Sequence, residues 1–100
     1  MNNDQEELPK RNIDVAKDFL DSRGLKFAMK PRSSTMIVLR SEDRVALQKE
    51  LGKELADLGF EWQPNAPGAE GFGRFAKIDS DLGNAYILMK PKSGGAAGSG

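Results

Sequence analysis

Two strand-like runs in this chain end on nearly the same word: Phe27-Ala28-Met29-Lys30-Pro31-Arg32-Ser33 and Ile87-Leu88-Met89-Lys90-Pro91-Lys92-Ser93. A proline between two cations holds them in fixed directions. A following hydroxyl and free backbone N–H groups add donors, and together these are what contact with phosphates needs. The same word also has a purely structural use, since proline stops a strand and lysine blunts a sheet edge. The matching residues are too few to argue for an internal duplication.

The wider distribution of charge points the same way. Net charge is zero, from 15 Lys and Arg against 15 Asp and Glu, so bulk charge does not mark a nucleic-acid binder. Between residues 25 and 40, however, Lys26, Lys30, Arg32 and Arg40 occur with no acid. Arg74, Lys77, Lys90 and Lys92 make the segment after Gly71 basic as well. The acids Glu42, Asp43, Glu50, Glu54, Asp57 and Glu61 crowd instead into residues 41–61. Acid on helices and base on strands predicts a sheet with helices on one side and a positive surface on the other. Alternation assigns Leu25, Phe27, Met29, Ile37, Leu39, Ile87 and Met89 to the helix side. It leaves Lys26, Ala28, Lys30, Met36, Val38, Arg40, Tyr86, Leu88 and Lys90 on the other, where Phe75 and Lys77 are expected to join them. Aromatics interleaved with cations on an open sheet stack and neutralise single-stranded nucleic acid. The leading expectation is therefore a nucleic-acid-binding accessory module. In it Lys26, Lys30, Arg32, Arg40, Arg74, Lys77, Lys90 and Lys92 contact phosphates, while Phe75 and Tyr86 stack on bases. Met36, Val38 and Leu88 are apolar enough for a rival: a protein-interaction or regulatory N-terminal module of a longer protein, or a structural domain of an assembly.

Catalysis is not expected. The chain has no histidine and no cysteine, which removes the commonest general base, the commonest transition-metal ligands and thiolate chemistry. Asp79, Asp81 and Gly83 hint at a calcium loop, but the third acidic position and the closing glutamate are missing, and a hairpin turn explains the segment better. A nuclease pairing of Asp79 with an acid-x-Lys fails because Leu88 stands where the acid is needed. Glycine-rich phosphate loops of the Walker or Rossmann type are absent. No cofactor and no metal are implied. Trp62, the single tryptophan, alternates with Phe60 and is expected in the core, with the wall of the 64–71 loop as its alternative place.

The elements that must position these residues follow from periodicity. One hundred residues, 38% apolar and 30% charged, make one ordinary domain. No apolar run approaches the ~18 residues that span a bilayer, and no signal-peptide pattern follows Met1, so a cytoplasmic protein without a membrane partner is expected. Asn12 is positioned to cap a helix from Ile13 to about Arg23, with Ile13, Ala16, Phe19 and Leu20 as its buried stripe and Gly24 as its stop. Leu47, Leu51, Leu55 and Leu58, widened by Val45 and Ala56, predict a second helix over 41–59 with Ser41 as N-cap and Gly59 at its end. Strands are expected at 25–30, at 35–40 (central, because it is apolar on both sides), at 60–63, at 72–78 and at 85–90. The first two form a hairpin and so do the last two, with Gly83 in the turn. The expected fold is α+β, one mixed or antiparallel sheet of about five strands with two helices on one face, in the order α-β-β-α-β-β-β. Residues 12–92 are expected to form the domain, 1–11 a flexible arm and 93–100 a flexible Gly/Ser/Ala tail or linker, either leading into a longer protein or an engineered tail. The oligomeric state has no signature in the sequence.

Overall fold

The two helices are built by the same device at their C-termini. In α1 (Asn12–Ser22) and α2 (Arg44–Asp57) the chain leaves through Gly24 (φ 72°) and Gly59 (φ 95°), the left-handed conformation that a side chain resists. Gly24 N–H donates to Asp21 O and Leu25 N–H to Leu20 O; Gly59 N–H donates to Ala56 O and Phe60 N–H to Leu55 O. Each is a Schellman closure that satisfies the last carbonyls and turns an apolar residue back onto the helix. The N-termini differ from expectation. Asp43, not Ser41, caps α2, accepting from Ala46 N–H at 3.0 Å, because Ser41 is still the last residue of a strand. Arg11 occupies the N-cap of α1 without a side-chain bond, and Asn12 lies inside the helix with its side chain turned elsewhere.

The computed structural model describes residues 10–92. The proposed tail 93–100 and all but the last two residues of the proposed arm lie outside the described residues. Five strands, β1 (Ala28–Met29), β2 (Met36–Ser41), β3 (Glu61–Pro64), β4 (Gly73–Lys77) and β5 (Ala85–Pro91), form one mixed sheet in the order β1-β2-β5-β4-β3. The chain is thus an α+β protein with the element order α-β-β-α-β-β-β. β2 and β5 run parallel and every other neighbouring pair antiparallel. β5 is central and β2 stands next to it, which is why both read as apolar on two sides. β1 is only two residues long, against the six that alternation suggested.

Both helices pack on one face of the sheet. Ile13, Ala16 and Leu20 from α1 and Leu51 and Leu55 from α2 meet Ile37, Leu39, Phe75, Ala85, Ile87 and Met89. Each of these eleven side chains is 5% exposed or less, and each large one buried contributes roughly 1.5–3 kcal/mol. Trp62 belongs to this side, its ring edge-on to Phe72 and Phe75 at 5.1 and 4.9 Å. Val45 does not widen the helix stripe; it is 51% exposed. α1 is fastened to the β4–β5 turn by Asn12, which is only 2% exposed: its Nδ2 donates to Gly83 O (2.8 Å) and Asp79 Oδ2 (3.1 Å), and its backbone N–H to Leu82 O. Among the described residues no helix is long and apolar enough to cross a membrane.

Candidate nucleic-acid interface

The second face of the sheet is read from the register. β2 contributes Met36, Val38 and Arg40, β5 Tyr86, Leu88 and Lys90, and β4 Arg74 and Ala76; the pairs Arg40–Lys90, Val38–Leu88 and Leu88–Arg74 stand side by side. Alternation had placed the β2 and β5 residues here correctly. It misplaced β4. Phe75 pairs with Trp62 and Ile87 on the helix side, is 2% exposed, and has no surface on which a base could stack. Lys77 shares its side. Its Nζ donates to Leu58 O at 2.8 Å, placing a cation at the negative end of α2, so it is a helix cap and not a phosphate contact. Arg74 is the β4 cation that does reach the second face. Its guanidinium lies 4.5 Å from the centre of the Tyr86 ring and its Nε donates to Gln63 Oε1 at 2.7 Å. A planar cation positioned over a ring and bonded to an amide can stack on a base as well as pair with a phosphate.

The two Lys-Pro corners do not form one clamp. Lys30 N–H donates to Met36 O at the start of β2, whereas Lys90 pairs with Arg40 at its end. Four strand residues separate them, about 13 Å at ~3.3 Å per residue. Lys30 and Arg32 therefore sit at one end of the sheet and Lys90 and Lys92 at the other. Pro91 also does not stop its strand: it pairs with Ser41, and Lys92 N–H still donates to Ser41 O. The missing N–H of Pro91 would point toward β4, beyond its last paired residue Gly73, so the ladder loses nothing there.

Cations gather at the second end. Arg40 and Lys90 are directly opposed on parallel strands, Lys92 follows on the same side of β5, and Lys26 flanks Arg40 across a pocket that also involves Lys92. Arg40 Nη1 donates to Pro91 O at 3.1 Å. Lys90 Nζ lies 3.9 Å from Glu70 Oε2, itself half exposed, a weak pair. Like charges side by side on a sheet cost stability unless something negative lies between them.

Sequence reasoning places a loop at residues 64–71 but misses that it folds onto the second face. Ala66 and Ala69 fold onto the second face and bury Leu88 to 2% exposure, with Met36 packed beside them. Arg44 secures the loop: its Nη1 donates to Ala69 O at 2.7 Å and its guanidinium lies 4.9 Å from the Phe72 ring centre. An arginine in the first turn of a helix opposes the macrodipole, and that was the available signal of another duty. The calcium reading of the β4–β5 turn has a different answer. Asp79 Oδ1 accepts from Asp81 N–H (2.7 Å) and Leu82 N–H (3.3 Å) while Oδ2 accepts from Asn12, so the carboxylate is engaged by the turn itself. Those bonds, the Asp81 N–H first, hold its pKa below the ordinary carboxylate value. Among the described residues, no group of three or more acids is placed to hold a metal ion. Comparison of the chain with protein-family models, with curated proteins and with solved structures finds no match.

Proposed function

We propose that this protein is a nucleic-acid-binding module that acts by binding, without catalysis of its own. The observation that carries the reading is the group of cations where β2 and β5 end: Arg40 and Lys90 opposed in register, with Lys26 and Lys92 beside them. A row of phosphates relieves that repulsion and releases its own counterions. The Arg74–Tyr86 platform, in which Arg74 stands beside Leu88, two residues from Lys90, and Tyr86 lies four residues from Lys90 along β5, supplies a planar surface for a base. Lys30 and Arg32, at the far end, extend the track. The protein-interaction reading draws on Met36, Val38 and Leu88, but the 65–72 loop covers Leu88, leaving that patch small.

The test is fluorescence anisotropy of labelled single- and double-stranded oligonucleotides at two salt concentrations. The expected result is binding that weakens sharply with salt and is lost in the Lys90→Glu/Lys92→Glu double variant. No binding at low salt rejects the proposal.

A further inference from the structure

An open pocket of about 630 Å³ lies between the segment 24–28 and the end of β2. That volume is within the ~300–1,000 Å³ range of small-molecule sites. It exists because β1 is short. The ladder between β1 and β2 stops at Ala28–Val38, and no backbone hydrogen bond joins residues 24–27 to β2. The bonds that are made show which groups this leaves open. Tyr86 N–H donates to Thr35 O and Lys92 N–H to Ser41 O, so the odd-numbered residues of β2 turn their backbone toward β5. The even-numbered ones turn toward β1, as the bond from Lys30 N–H to Met36 O confirms. The Arg40 N–H therefore opens on the pocket, with no partner among the described residues.

Three cations, Lys26, Arg40 and Lys92, line the same space, and among the described residues no acid does. The other walls are apolar: Leu25, Phe27 and Leu39 from the core side, Ala28 and Val38 from the second face. A free backbone donor with three cations suits a group of two negative charges, and an apolar wall suits a flat base or sugar. An internal phosphodiester carries a single charge and leaves two of the three cations unmatched. A phosphomonoester carries about −1.5 to −2 at neutral pH.

We propose that this pocket receives the terminal phosphate and last nucleotide of a nucleic-acid strand. The inference rests on the reading of the second face as a nucleic-acid interface and gives that interface a polarity: the strand ends here, and its body runs over the Arg74–Tyr86 platform.

Two arms test it. In the first, backbone amide shifts are followed by NMR while a nucleoside monophosphate, the unphosphorylated nucleoside, or inorganic phosphate is added. The expected result is a saturable shift of the Arg40 amide and its pocket neighbours with the monophosphate, roughly tenfold weaker for the nucleoside, the scale of one charge-assisted hydrogen bond. Lys92→Ala, an exposed residue at a strand end, weakens the monophosphate by a similar factor. An unmoved Arg40 amide overturns the proposal. The second arm compares one oligonucleotide sequence with a phosphate at its 5′ end, at its 3′ end, or at neither. Preference of about tenfold for one phosphorylated end supports a strand terminus. Equal affinity of all three, with the monophosphate still bound, overturns the strand-end assignment in favour of a free nucleotide. Salt-dependent binding of the hydroxyl-ended strand reports on the basic face separately, so failure of the pocket and failure of the interface give different results.

Discussion

Reversing the charge of Arg40 separates binding from folding. In Arg40→Glu the like-charge neighbours Arg40 and Lys90, about 4.8 Å apart between strands, become an opposite pair. A cross-strand charge pair is worth ~0.2–1 kcal/mol, so changing repulsion to attraction contributes about 0.4–2 kcal/mol. Against this stands the lost bond from Arg40 Nη1 to Pro91 O, worth roughly 0.5–1.5 kcal/mol on an exposed side chain. The two nearly cancel, and urea denaturation is expected to show stability within about 1 kcal/mol of the parent. Binding does not cancel. The variant removes one phosphate contact, and its carboxylate occupies a second cation, Lys90 or Lys26. At a slope of ~0.7 per contact on a single strand, two contacts at 0.1 M salt change log K by about 1.4, a fall of roughly 25-fold. Anisotropy and denaturation on the same preparation read both quantities. A stability loss above ~2 kcal/mol, or unchanged affinity, refutes the reasoning: the first makes Arg40 a structural residue, the second removes it from the interface.

Three further outcomes probe the frame that holds the face. Asn12→Ala removes the two part-buried side-chain bonds, to Gly83 O and Asp79 Oδ2, that tie α1 to the β4–β5 turn; a loss of about 1–2 kcal/mol is expected in urea denaturation, and a neutral effect would show that the helix-to-turn tie is dispensable. Gly73→Ala places a Cβ 2.6 Å from Gln63 O and 2.6 Å from Trp62 Cζ2; the backbone oxygen does not yield, so a loss of about 2 kcal/mol or more and a shifted tryptophan emission are expected. Asp79 titrates below its unfolded value in the native state, so its contribution is present above about pH 4 and is lost as pH falls through the lower native pKa. Asp79→Asn should accordingly flatten the fall of stability below about pH 4 in acid denaturation; an unchanged acid limb contradicts the assignment.

Much of the frame was legible because burial imposes a period. Leu47, Leu51, Leu55 and Leu58 mark α2, and β2 and β5 sort their residues between the two faces by alternation alone. β4 misled because both its faces are mixed: Arg74 and Lys77 have opposite parity, and either could mark the open side. Lys77 lies beside Phe75 because its long stem crosses apolar surface while its ammonium reaches the end of α2. Strand order was hidden in two strands apolar on both faces, which the sequence alone cannot rank. The shortness of β1 was hidden too, because Leu25 to Lys30 alternates throughout while only Ala28 and Met29 pair. The pocket is the product of that mismatch. The cover over Leu88 had only a faint trace, the alanines at 66 and 69 in a loop otherwise rich in Pro and Gly.

The central claim, that the end of the sheet carrying Arg40 and Lys90 binds phosphates, is tested most directly by the slope of log K against log salt for an unmodified single strand. Contacts from Lys26, Arg40, Lys90 and Lys92 predict a slope of about −3. A slope near zero, or no measurable binding at low salt, would contradict it.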